Sequence, residues 1–267
     1  MNSDYNTDRL IIVSYAPGAG GKFLINSLGL GNNAVLQHQD LCRQQLDNSF
    51  STIEKFQLLS SRLDNVTTRW DDLGLGCLML FGKTIPKLGL APGINPTEEP
   101  LIITETIKKV IEKNWYFFVV AHTPKHKQQL LTNWPNANTL NLYNKSYKFF
   151  DTYRTSKLQK YWTTIASDSW PKDPPTTISE LKNLPNYIQD ELTNHYQNKI
   201  YTHSCLYFNE CSNDNDWNVD WFLDEDVTIF NIKKLYDHFG IENFNSDIIC
   251  QYRTKWLSVL LKLKSLS

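Results

Sequence analysis

"IIVSYAPGAGGKFL" occupies residues 11–24 and decides the fold. Residues 11–14 form a continuous apolar run ending in a serine, the pattern of a strand buried on both faces. Pro17, Gly18, Ala19, Gly20 and Gly21 then form a tight turn, and Lys22, Phe23 and Leu24 open a helix. In such a strand–turn–helix unit the glycines let backbone N–H groups converge on an anion at the helix N-terminus. The general phosphate loop, G-x-x-x-x-G-K-[ST], aligns here from Ala16 to Phe23. Gly21 and Lys22 match it, whereas Ala16 and Phe23 do not. Phe23 removes the hydroxyl that a Mg²⁺-dependent nucleotide hydrolase needs. Lys22 at a helix start opposes the helix dipole and calls for a bound anion. The alternative is a tight turn that holds no ligand.

The 267 residues are 41% hydrophobic and 21% charged, enough for a sizeable core. The formal net charge of −1 and the absence of any Lys/Arg run lead us to expect neither a nucleic-acid nor a membrane partner. Five widely spaced cysteines with no C-x-x-C fit a reducing compartment rather than a disulfide framework or zinc site. The polar first ten residues carry no apolar segment of the kind a signal peptide has, so the expected location is the cytoplasm.

Further strand-type runs lie at residues 115–121, 139–143 and 201–208. Helix-type segments lie between them. Ser51 and Glu54 form a capping box ahead of an apolar face of Ile53, Phe56, Leu59 and Leu63. Residues 101–113 read as a helix stopped by Asn114, residues 125–132 as one closed by Pro135, and residues 146–157 as another. Two more follow at 227–239, ended by Gly240, and at 247–262. Alternating strands and helices imply one α/β domain over 1–267, a parallel sheet with helices on both faces and a helical C-terminal region. Residues 165–200, with a proline-rich centre at 169–185, read as a lid or surface excursion. The acidic, Asn-rich stretch at 209–226 reads as a solvated loop.

Ligands of such sheets sit beyond the carboxyl ends of the strands. His122 falls there, after "FFVVA", where a general base is wanted. A hydrogen-bonded structural histidine is the plainer alternative. His122 and His126 have a zinc-like spacing, but Pro124 stands between them, so no metal is expected. The strand-type runs end in His122, Asn144 or Asn209-Glu210, a poor source of a magnesium-binding acid, which argues against an ATPase or GTPase. Trp70, Trp115 and Trp162 are candidates for an acceptor pocket. Tyr252, Arg253 and Lys255 are candidates for ligand contact, with a helix packing face as the plainer reading.

These pieces resemble the P-loop sulfotransferases. Pro17, Gly20, Phe23 and Leu24 fall in register with that family's Pro-Lys-Ser-Gly-Thr-Thr-Trp-Leu loop, and Val120-Ala-His122-Thr-Pro124 with its histidine motif. "TLNLY" followed by "NKSYKFFDTYR" resembles its strand and 3′-phosphate segment, and "FNIKKLYDHFGIENF" and "YRTKWL" its closing helices. The chain departs from the family at three points: the loop lysine falls on Gly18, the 3′-phosphate arginine on Asn144 and the 3′-phosphate serine near Thr152. The resemblance implies sulfuryl transfer from 3′-phosphoadenosine 5′-phosphosulfate to a hydroxyl or amine of a small molecule or glycan, without a metal. It implies catalytic roles for His122 and Lys22. Pro17, Gly18, Ala19, Gly20, Gly21, Lys22 and Phe23 would hold the donor's 5′-phosphate side, and Asn144, Lys145, Thr152 and Arg154 its 3′-phosphate side. Two other functions stay open: a P-loop kinase acting on a small metabolite or nucleotide, and a non-catalytic binding protein on the same fold.

Overall fold

The computed structural model describes residues 8–15, 20–36, 45, 47–65, 109–110, 112–121, 124–143, 162, 166–173, 180, 183–196 and 217–265. Strand β1 (Leu10–Ser14) lies between β2 (Phe117–Ala121) and β3 (Asn138–Tyr143), and β4 (Trp217–Asn218) extends the sheet beyond β3. All three pairings are parallel, in the order β2-β1-β3-β4. Ala34 makes a further parallel bridge to Tyr116 at the outer side of β2. The helices are α1 (Gly21–Gly29), α2 (Thr52–Asp64), α3 (Pro124–Asn133), α4 (Asn186–Tyr196), α5 (Glu225–Phe239) and α6 (Ser246–Ser265). None of the described helices is long and apolar enough to cross a membrane.

The continuous apolar runs of β1 and β2 split by alternation onto two cores. Ile11, Val13, Phe118 and Val120 pack with α1, α2, α5 and α6. Leu10, Ile12, Phe117, Val119 and Ala121 face the other side, where Leu130 of α3 and Trp134 cover them. An α/β architecture with helices on both faces is therefore present. The expected 201–208 strand and 146–157 helix lie outside the described residues.

Local signals set several boundaries. Ser51 and Glu54 complete the capping box of α2: Glu54 N–H donates to Ser51 Oγ, and Ser51 N–H to Glu54 Oε2 at 2.7 Å. Asn114 takes a left-handed φ of 55° before β2, and Gly240 takes 71° after α5, both as helix stops. Two expectations need correction. On α2 the buried face is Lys55, Leu59 and Leu63, while Ile53 is 59% exposed. The end of the acidic stretch is no solvated loop: Trp217 and Val219 are fully buried, and Trp217 joins the sheet opposite Leu142. Its apolar residues supply core at the far edge of the sheet, which outweighs the polar composition around them. Within residues 165–200, helix α4 follows Pro185, and buried Trp170 meets Trp162 edge to face at 4.8 Å.

Lys55 is buried because three backbone carbonyls receive it. Its ammonium donates to Gly29 O (3.2 Å), to Ala34 O (2.7 Å) and to Gly31 O. These carbonyls belong to the C-terminal end of α1 and the turn after it, where the helix dipole favours a cation. Asn33 ties the same turn to the C-terminal helices, donating to Gly240 O and accepting from Glu242 N–H.

Burial lowers the Lys55 amine from 10.5 to about 7. The three carbonyls act in the opposite direction, because only the ammonium has three protons to donate. Between about pH 7 and 10.5 the unfolded chain holds this proton and the folded chain releases it, so stability rises with pH through that window. Lys55→Met leaves three buried carbonyls without their donor, and a loss of about 2–4 kcal/mol is expected, along with loss of the pH-dependent rise. Denaturant unfolding of both chains at pH 7 and pH 9 checks this. A variant as stable as wild type, with the same pH slope, would remove Lys55 from its assigned role.

Candidate anion-binding site

Strand β1 ends at Ser14, and Tyr15 N–H still bonds Ala121 O at 3.0 Å. Residues 16–19, including Pro17, Gly18 and Ala19, lie outside the described residues. The chain re-enters at Gly20, whose φ of 70° makes it the left-handed N-cap of α1. That conformation favours glycine. Gly20 brings no side-chain cap, and the first turn of α1 contains no acid. The first i→i−4 bond is Leu24 N–H to Gly20 O, so the N–H groups of Gly21, Lys22 and Phe23 precede the intrahelical ladder. Half-buried Lys22 stands among them. Chemically this is a helix N-terminus whose side chains add positive charge rather than cancel the dipole.

Gly21 has a second constraint. A Cβ there would fall 2.3 Å from the Tyr15 ring. The aromatic residue after the strand thus lies against the helix start, and only glycine leaves room for it. Gly21 therefore serves packing as well as any ligand.

Phe23 turns away from the turn surface. Its ring is fully buried, stacks on Tyr252 at 5.6 Å and meets Phe222 and Trp256. Among the donor-binding candidates it can therefore offer only its backbone. The residue that would carry a metal-binding hydroxyl in the general phosphate loop is here part of the core. One turn on, buried Asn26 donates to Tyr252 Oη at 2.8 Å, and Tyr236 Oη donates to Ser27 O at 2.8 Å. Helix α1 is thus held from behind by α5 and α6.

The strand order gives this turn its position. The chain runs from β1 to β2 on one side, then crosses back to β3 on the other. Such a reversal opens a crevice beyond the carboxyl ends of the strands, the usual ligand position of a doubly wound sheet. Ser14 and Asn141 stand in register there on β1 and β3, each 4% exposed. Lys127 of α3 donates to Asn141 Oδ1 at 2.6 Å. Sequence reasoning passed over this pair, although a polar Asn inside the apolar "TLNLY" strand was a visible signal.

Of the other candidates, His122, Asn144, Lys145, Thr152 and Arg154 lie outside the described residues, as does Trp70. Trp162 packs on Trp170, and Trp115 lies beneath the Lys113 ammonium. Tyr252, Arg253 and Lys255 are engaged in packing. Arg253 donates to Phe222 O and Leu223 O, and Lys255 pairs with Asp64 at 2.7 Å. The described residues contain no cluster of three or more His, Cys, Asp or Glu able to hold a metal ion. Comparison with family models, with curated proteins and with solved structures finds no match.

Gly21→Ala should destabilise the chain by about 1–3 kcal/mol through its clash with Tyr15. In a Tyr15→Ala background the same change should cost almost nothing. Thermal unfolding of the four chains of this cycle checks the coupling. Equal costs in both backgrounds would dissociate Gly21 from Tyr15.

Proposed function

We propose that the chain is a metal-independent, sulfotransferase-like enzyme of the P-loop type. It would move a sulfuryl group from 3′-phosphoadenosine 5′-phosphosulfate to a hydroxyl or amine acceptor, a small molecule or a glycan. One observation carries this: an acid-free helix N-terminus bearing Lys22 stands at the carboxyl end of the strand where the sheet order reverses. The residues fit an anionic donor. Backbone N–H groups of Gly20–Phe23 would hold its 5′-phosphate, and Lys22 the oxygen that bridges phosphorus and sulfur.

In the transfer the acceptor oxygen or nitrogen attacks sulfur. The bond from sulfur to the bridging oxygen breaks, and adenosine 3′,5′-bisphosphate leaves with that electron pair. The acceptor's proton passes to His122. Lys22 would stabilise the charge that grows on the leaving oxygen, and binding both partners in one crevice supplies proximity. A side chain at position 23 that points into the core leaves the loop without a hydroxyl for magnesium, which suits a donor that already carries a good leaving group.

A non-catalytic binding protein is the second reading, favoured by the Tyr15–Gly21 contact, which gives the glycine a purely structural use.

Adenosine 3′,5′-bisphosphate at about 100 times its dissociation constant should stabilise the chain by roughly 2.7 kcal/mol, seen as a raised unfolding midpoint without magnesium. Stabilisation by Mg·ATP alone would instead favour the kinase, and by neither, the binding protein. Lys22→Ala should weaken bisphosphate binding by about 1.5–3 kcal/mol, measured by calorimetry. His122→Ala should leave binding intact and lower sulfuryl transfer at least about 100-fold. Unchanged affinity in the first variant, or retained turnover in the second, refutes the corresponding role.

A further inference from the structure

Helix α5 carries apolar side chains on the side away from the core. Its Ile232, Leu235, Tyr236 and Phe239 point into the core. At about 100° per residue Phe230 lies on the opposite side of the helix, and it is 71% exposed. Val227, one turn earlier, is exposed beside it. Charges flank this pair. Asp226 and Lys234 are both exposed, each four positions from Phe230, one toward either end of the helix. By the helical repeat each stands about 6 Å from Phe230 along the axis and about 40° from it around the axis, in opposite senses. Lys234 also interacts within its own chain and stays exposed, so its charge remains at the surface. The other two acids at this end serve the fold: Asp224 Oδ1 accepts from Val227 N–H, and Glu225 Oε2 accepts from Arg253.

We propose that this face of α5 docks a second copy of the chain, with the two α5 helices antiparallel about a two-fold axis through Phe230. The proposal does not rest on the sulfotransferase reading. Such an axis sets each position before Phe230 against the position equally far after it. Asp226 therefore meets Lys234 of the partner subunit, and the pair recurs on the other side, so two ion pairs bracket the two Phe230 rings. Val227 meets the aliphatic stem of Lys233 of the partner subunit; within each chain the Lys233 ammonium is held by Asp237 at 2.7 Å. A parallel pairing would instead set Asp226 against Asp226 and Lys234 against Lys234. One surface is thus complementary to itself in charge, as an isologous contact requires. Helix α5 has 15 residues, a length of about 22 Å, so the contact belongs to the small, reversible class of interface.

The test is sedimentation equilibrium of the full chain over about 1 to 500 µM, the range of small reversible interfaces. Wild type should show a monomer–dimer equilibrium. Phe230→Ser should weaken it at least about tenfold and leave the unfolding midpoint of the dilute chain unchanged, because the ring is exposed in the monomer. Asp226→Lys and Lys234→Asp should each weaken it at least about tenfold by setting like charges together. The double variant, with the charges exchanged, should return to within about threefold of wild type. If Phe230→Ser fails to fold, the charge-exchange set decides.

A chain that stays monomeric throughout overturns the proposal. So does a dimer that ignores Phe230→Ser, or a double variant no better than the single ones, since either places the contact elsewhere. A monomer whose midpoint falls with Phe230→Ser overturns it too, because residues of the same chain would then cover the ring.

Discussion

A buried lysine amine organises one side of this molecule. Helix α1 ends with carbonyls that lack intrahelical partners, and Lys55 of α2 supplies protons to Gly29 O and to Gly31 O and Ala34 O beyond it. A charge taken out of water costs several kcal/mol, which lowers the Lys55 amine to about 7, and its three carbonyl acceptors offset part of that cost. The contact brings α2 to α1 and sets the path of residues 29–34. That path carries Ala34 to its bridge beside β2. Gly31 has no space for a Cβ, which would lie 2.2 Å from the Ile241 side chain. The turn is therefore closed from both sides, by a lysine within and by the α5–α6 connection without.

The candidate site inherits this rigidity. Helix α1 cannot shift along β1 without breaking the Lys55 contacts at its C-terminal end, or the Phe23 stack and the Asn26–Tyr252 bond along its length. A cradle of backbone N–H groups works only if those groups are fixed before the ligand arrives, since preorganised dipoles need no reorganisation at the moment of reaction. The aromatic packing around Phe23 provides such a backing. Positions 22 and 23 point about 100° apart around the helix, so the buried ring of Phe23 stands beside a half-buried Lys22.

The glycine turn has two claims on it, one steric and one chemical. Tyr15 requires Gly21, and the left-handed turn favours glycine at position 20. Neither explains the lysine at 22 or the lack of an acid in the first turn of α1, and both of these favour an anion. The same bias recurs at α3, where Lys127 meets Asn141. The net charge of −1 says little about such a local arrangement of lysines.

Three strands, the two C-terminal helices, the capping box of α2 and the stops at Asn114 and Gly240 were legible in the sequence. They depend on periodicity, φ preference and capping within a turn or two of chain, which neighbouring residues determine. Strand β1 and helix α1 were legible for the same reason, as was the place of Lys22 in the first turn of α1. The burial of Lys55 was not, because its acceptors stand 21, 24 and 26 residues away in sequence. The inward turn of Phe23 depends on rings at 222, 252 and 256, and the sheet position of Trp217 on a partner at 142. Asn141 was visible as a polar residue in an apolar strand, but its lysine partner was not. The order β2-β1-β3-β4, which puts the start of α1 where the sheet order reverses, is likewise a matter of long-range pairing. Local chemistry chose the elements, and the burial of charge and aromatic area across the sheet decided where they meet.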